Sequence, residues 1–203
     1  DELQTKYQSL IQSHQVDLLN TSQVESVMLD ILKTKSIDCF IHCVSLPLKV
    51  KNFTNLTWDD IESHIEIQTR SFFQIVKNLV PLMKTRKHGK IISILTSAVI
   101  NKPPTNMLDY IVGKYSLLGL SKCLAVELGR FGITVNCVSP SLIETNLIKN
   151  LPSKLKEISI NETPLNRLTT PSDIANVTLF LCSDQSDNIT GENIIVSGGQ
   201  VMN

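Results

Sequence analysis

The sequence predicts an α/β fold: a doubly wound parallel sheet covered by helices on both faces, in three layers. Three observations carry that expectation. Apolar runs of strand length recur without polar alternation at residues 37–44, 90–95 and 133–138, as strands buried on both faces require. Segments with helical apolar spacing separate these runs, each long enough to cross back over a sheet. Helix-start signals stand at the head of three such segments, at Ser22-x-x-Glu25, Thr57-x-x-Asp60 and Thr170-Pro171-Ser172-Asp173.

In chain order, residues 2–13 have amphipathic spacing, and a short apolar strand is expected at 15–19. A helix opened by Ser22 and Glu25 follows, then the apolar strand 37–44. Thr57 and Asp60 open a long helix reaching about Lys87, and strand 90–95 comes next. Helical spacing resumes over 110–129, with Gly132 as its stop. Strand 133–138, a helix running from Thr170 to about Ser183, and strand 193–196 before Gly198-Gly199 complete the order. With no repeat, linker or low-complexity segment, one domain over residues 1–203 is expected.

Composition narrows the function. Of the 203 residues 42% are hydrophobic, enough for a sizeable core. Charges balance at 19 against 19 without long single-sign runs, which argues against a nucleic-acid or anionic-membrane partner. No apolar stretch is long enough to span a bilayer. Five cysteines at irregular spacing, all in apolar runs, suit reduced residues of a cytoplasmic protein. Cys39, His42 and Cys43 have the residue types of a metal site, but strand alternation points them to different faces, so no metal is expected. Several Asn-x-Ser/Thr sequons, including the one at Asn176 within an apolar helix, read as incidental.

The polar residues of interest gather where open α/β sheets bind ligands, beyond the carboxyl ends of the strands. Thr96 and Ser97 end one strand, residues 140–145 follow the next, and Tyr110 opens the helix between them. Tyr110 and Lys114 are four residues apart and share one helix face. An ammonium there would favour the phenolate of a tyrosine whose ordinary pKa is ~10.

The stretch TSAVINKPPTNMLDYIVGKYSLLGLSKCLAVELGRFGITVNCVSPSLIET resembles the catalytic half of the short-chain dehydrogenase/reductase family. The tail TPLNRLTTPSDIANVTLFLCSDQSDNITGENIIVSGG is similar to that family's C-terminal region, especially in members like the 3-oxoacyl-(acyl-carrier-protein) reductases. The resemblance covers essentially the whole chain. It implies a Rossmann-like fold and an NAD- or NADP-dependent oxidoreductase acting on a ketone or 3-oxoacyl thioester, the acyl group carried on acyl carrier protein. It also implies a homodimer or homotetramer.

Residue by residue, the resemblance makes Tyr110 the general acid/base, with Lys114 tuning it and holding the nicotinamide ribose. Ser97, at the family's usual interval before Tyr110, matches the substrate-binding hydroxyl; the count along the strand from Gly89 favours Thr96, and both stay open. Gln68 falls where the family commonly has an asparagine that completes a proton relay. His42-Cys43-Val44-Ser45 replaces the Asn-Asn-Ala-Gly segment, with Cys43 and Val44 as cofactor contacts. Asp17 and Leu18 match an adenine-side strand end. Pro140, Ile143 and Thr145 match the segment at the nicotinamide carboxamide, and Ser141 stands where a glycine is common.

The family's first strand, glycine-rich phosphate turn and helix have no counterpart here. Helix N-termini with such turns bring backbone N–H groups to a pyrophosphate. An upstream segment of roughly 40–50 residues is therefore expected before Asp1, from the span of a one-domain relative. The alternative is a catalytically inactive partner subunit or truncated isoform with the same fold.

Overall fold

The computed structural model describes residues 11–143, 145 and 153–202, apart from the Leu155 side chain. Four strands, β1 (Cys39–His42), β2 (Gly89–Ile94), β3 (Ile133–Pro140) and β4 (Asn193–Val196), form one sheet in sequence order. All three pairings are parallel.

Helix α1 (Thr21–Thr34) precedes the sheet. The β1–β2 crossover is α2 (Trp58–Ile65), a π turn over Glu66–Arg70 and α3 (Ser71–Arg86). Helix α4 (Leu108–Leu128) links β2 to β3. Helices α5 (Ser153–Asn161) and α6 (Pro171–Cys182) lie between β3 and β4.

Alternation along β2 builds the three layers. Ile91 joins Val24, Met28, Phe72, Val76 and Leu117 in a core roofed by α1, α3 and α4. Its neighbour Ile92 points the other way, to Val138, Ile174 and Leu181 beneath α6. Helices thus cover both faces, as a doubly wound sheet demands. Strands β2 and β3, flanked on both sides, match their apolar runs.

Local chemistry sets the helix ends. Thr57 and Thr170 each accept a hydrogen bond from the backbone three residues on, and Asp60 and Asp173 reach back to complete two capping boxes. Gly132 takes φ 69°, and a Cβ there would lie 2.4 Å from the Lys87 carbonyl, so glycine is the stop.

Four expectations are corrected. Residues 11–13 are not helical; the remainder of the proposed helix 2–13 lies outside the described residues. Residues 15–19 form no strand: Asn20 N–H closes a turn on the Asp17 carbonyl at 3.0 Å, and the Asp17 carboxylate accepts from Leu19 N–H. The cap of α1 is Asn20, which accepts from Gln23 N–H at 3.1 Å, not the Ser22/Glu25 box. Strand β1 is shorter than 37–44. Among the described residues it pairs with β2 alone; Phe40 packs on the main core, and Ile41 on the opposite side is 46% exposed.

Candidate active site

The carboxyl ends of β1, β2 and β3 converge on the first turn of α4. Strand β2 ends at Ile94, and Thr96 then caps the 3-10 turn Ser97–Val99 by accepting from Ala98 N–H. Beyond β1, Lys51 N–H donates to the Asn106 carbonyl at 3.0 Å, tying the loop after β1 to the approach of α4. Lys51 Nζ also bonds both Asp60 oxygens at 2.7 Å, which holds that carboxyl well below the usual carboxylate range.

Tyr110 and Lys114 stand together, with Lys114 Nζ 5.8 Å from the Tyr110 ring centroid. Nζ donates to the Ile94 carbonyl at 2.9 Å, which anchors the lysine to the end of β2. An ammonium has three donors, so two N–H groups remain beyond that bond. Burial pushes Lys114 down to about 8, opposed by the nearby Cys43 and Cys137 thiols.

Burial also pushes the Tyr110 phenol up to about 12, and the Thr96 side chain opposes this by favouring the phenolate. Desolvation is the larger influence on the phenol in this structure. Of the two candidate hydroxyls, Thr96 is the one that acts on the Tyr110 phenol. Ser97 is buried one residue on.

Gln68 is fully buried within the π turn, where Ser71 N–H reaches five residues back to the Glu66 carbonyl. Its main-chain carbonyl accepts from His42 Nε2 at 2.9 Å, and its side-chain Nε2 lies 3.1 Å from His64 Nδ1. His64 Nε2 is 3.6 Å from Asp109 Oδ2. Burial pushes His42 down to about 4 and lowers His64 as well. Gln68 Oε1 and Asp109 Oδ1 are buried with no hydrogen-bond partner among the described residues. Leaving such atoms unpaired costs about 1–3 kcal/mol each.

His42, His64 and Asp109 were not singled out as site residues from the sequence. The signals were there: His64 and Gln68 are four apart on one helix, and Asp109 directly precedes Tyr110.

The remaining candidates fall at the same rim. Cys43 is exposed and Val44 half-buried just past β1; Pro140 is buried at the end of β3. Ile143 pairs with Thr169 in an isolated bridge, Ser141 Oγ lies 2.8 Å from Thr169 Oγ1, and Thr145 is half-buried. Asp17 and Leu18 lie in and beside the turn before α1, not at a strand end. Cys39 donates to the Cys182 carbonyl at 3.5 Å, whereas His42 serves Gln68. Among the described residues no group of three or more metal-ligating side chains is assembled, and no helix is long and apolar enough to cross a membrane.

Comparison with known proteins gives this geometry its context. The family described as enoyl-(acyl carrier protein) reductase matches residues 1–200. A 3-oxoacyl-(acyl-carrier-protein) reductase of Buchnera aphidicola subsp. Schizaphis graminum is 33% identical over 190 residues, covering 92% of this chain and 76% of that one. Human dehydrogenase/reductase SDR family member 4 is 37% identical over 152 residues, 74% of this chain and 53% of that one. Among solved structures, a putative gluconate dehydrogenase from Agrobacterium tumefaciens superposes with TM-score 0.90 at 20% identity, over 98% of this chain and 80% of that one. A gluconate 5-dehydrogenase from Burkholderia cenocepacia J2315, in complex with NADP and tartrate, gives TM-score 0.85 at 22% identity, over 91% and 73%. Sequence kinship, parallel sheet and Tyr110–Lys114 placement agree: the chain belongs to the short-chain dehydrogenase/reductase family of NAD(P)-dependent oxidoreductases.

Proposed function

We propose that this protein reduces a ketone to a secondary alcohol, and runs the reverse reaction, with a 3-oxoacyl thioester on acyl carrier protein as the substrate. The observation that carries the reading is the half-buried Tyr110 phenol, beside Thr96 and flanked by the Lys114 ammonium, at the carboxyl ends of the strands. Bound NADH or NADPH supplies the hydride.

The chain's own residues do the rest. A phenol pushed up to about 12 is protonated at neutral pH, so Tyr110 is loaded as the acid. An alkoxide forming on the substrate is a far stronger base than a phenolate, so the proton moves downhill from Tyr110. The hydroxyl of Thr96 or Ser97 donates to the same oxygen as charge develops. Lys114, a cation below about 8, stabilises the phenolate left behind.

The residues fit a dinucleotide in part. Lys114 keeps two N–H donors for ribose hydroxyls, and Cys43, Val44, Pro140, Ile143 and Thr145 border the nicotinamide side. Asp17 and Leu18 are assigned to the adenine side. We place the protein in the cytoplasm as a single-domain homodimer or homotetramer. Exposed Phe73 and Leu82 on α3, and Tyr115 and Val126 on α4, favour self-association. A stable monomer by light scattering would defeat that part.

The test is a spectrophotometric assay of the full-length protein with NADH and NADPH against 3-oxoacyl thioesters and simpler ketones. Turnover on a 3-oxoacyl thioester is expected, and Tyr110→Phe should lower it by roughly 10²-fold or more with little change in melting temperature. No turnover on any substrate, or an active Tyr110→Phe, overturns the reading.

A further inference from the structure

Four buried polar residues from four segments gather against Tyr110. His42 of β1 donates to the Gln68 main-chain carbonyl, the Gln68 side chain meets His64 of α2, and His64 Nε2 lies 3.6 Å from Oδ2 of Asp109, the residue before Tyr110. The His64 ring also meets the Tyr110 ring edge-on, with centroids 5.9 Å apart.

The run has a direction. The Asp109 carboxylate accepts only, which puts the His64 proton on Nε2 and leaves Nδ1 as acceptor for the Gln68 amide N–H. The opposite amide orientation would set a carbonyl oxygen against bare Nδ1. At the far end His42 donates, because a carbonyl cannot.

The start of α4 needs such an anchor. Its N-cap position is Met107, which makes no side-chain cap, so Tyr110 sits in a first turn without local capping. Gly113 permits the clamp: a Cβ there would lie 3.0 Å from the His64 carbonyl and 3.2 Å from Gln68 Cδ.

We propose that His64 and Asp109 are positioning residues that hold the Tyr110 phenol in its working orientation, a role that rests on the proposed function above. They replace the missing cap with a tertiary contact, and the His64 ring sets the tilt of the phenol. Groups facing His64 are Asp109 and Lys114 from α4, Lys49 from the loop after β1, and Asp60 of its own helix. Thr96 and Lys114 face Tyr110.

The experiment uses the full-length protein with Asp109→Asn, His64→Gln and the double variant. Asp109→Asn keeps the volume but offers an N–H to His64, reversing the run. A fall in kcat of about tenfold or more is expected, with KM values within about twofold. The double variant should lose less than the product of the single losses, because the two residues act as one unit.

A second readout needs no turnover. Tyr110 ionisation is followed by absorbance as the difference between the parent and Tyr110→Phe. In Asp109→Asn and His64→Ala its midpoint should fall by about half a pH unit or more toward the ordinary tyrosine value, as water reaches the loosened ring. Unchanged kcat, pH profile and Tyr110 midpoint in these variants overturn the proposal. So does lost melting temperature with parental kcat per folded molecule, which marks a purely structural role. If the parent shows no turnover, the proposed function falls, and the Tyr110 midpoint alone decides this inference.

Discussion

Mild acid should destabilise this protein through His42. The ring is 2% exposed and donates to the Gln68 carbonyl from Nε2. Burial pushes its pKa from 6.5 to about 4; the Lys114 charge pushes the same way and the Gln68 carbonyl opposes. The folded state therefore keeps His42 neutral where the unfolded chain already binds a proton. With more protons on the unfolded side, stability falls as pH drops from about 6.5 toward about 4. The difference, 6.5 less about 4, spans about 2.5 pH units. At about 1.4 kcal/mol each, the full loss is about 3.5 kcal/mol. That is a large share of the 5–15 kcal/mol that typically holds a domain together. Urea unfolding of the full-length protein at a series of pH values from 7.5 to 4 measures it, beside His42→Gln, which keeps an N–H donor and cannot titrate there. Burial lowers His64 too, so the variant retains some acid sensitivity. The His42 contribution is the change with pH in the parent-minus-variant difference. If that difference stays constant between pH 6.5 and 4, His42 is not held neutral and the argument fails.

Three further outcomes follow from the site. Turnover should decline as pH rises through about 8, where the buried Lys114 loses its proton; kcat that stays flat to pH 9.5 would show that the ammonium is not needed. Between about 8 and 10.5 the unfolded chain holds the Lys114 proton more tightly, so the stability cost of burying that charge is relieved over this window. Thr96→Ala and Ser97→Ala separate the two hydroxyls: Thr96 acts on the Tyr110 phenol, so Thr96→Ala should cost roughly tenfold more in kcat than Ser97→Ala, and the reverse order would assign the substrate oxygen to Ser97. Gly113→Ala sets a helix-propensity gain of about 1 kcal/mol against overpacking of about 1–3 kcal/mol on the His64 carbonyl, so a net loss of about 1 kcal/mol and a lower melting temperature are expected; an unchanged or higher melting temperature would mean that α2 gives way easily.

Much of the fold was legible because its causes are local or uniform. A parallel strand buried on both faces has to be apolar throughout, and β2 and β3 could be read within two residues of their ends. The boxes at Thr57/Asp60 and Thr170/Asp173 close within four residues, so sequence alone reveals them. The misreading at 15–19 has a physical source. Val16 and Leu18 do pack on the core, which produced the strand-like alternation, but the backbone there bonds to its own turn rather than a neighbour. Burial made the pattern, and pairing did not follow.

At the site, Tyr110 and Lys114 were legible because a spacing of four on a helix guarantees a shared face. What that spacing leaves unspecified is the environment. A lysine one turn from a tyrosine suggests an acidified phenol, yet here the ammonium bonds the Ile94 carbonyl and both groups lose water. Desolvation acts in opposite directions on an anion-forming and a cation-forming acid, so it raises the phenol and lowers the lysine together. The pair is thereby brought toward a protonated phenol beside an ammonium poised near neutral pH, the state needed to give a proton to an alkoxide. The groups that create this dryness come from β1, α2 and the π turn, dozens of residues away in sequence. Gly113 is where they meet α4, and its missing side chain lets His64 and Gln68 close over the pair. In the sequence it is one letter between Tyr110 and Lys114; in the fold it lets His64 and Gln68 approach the helix that carries both.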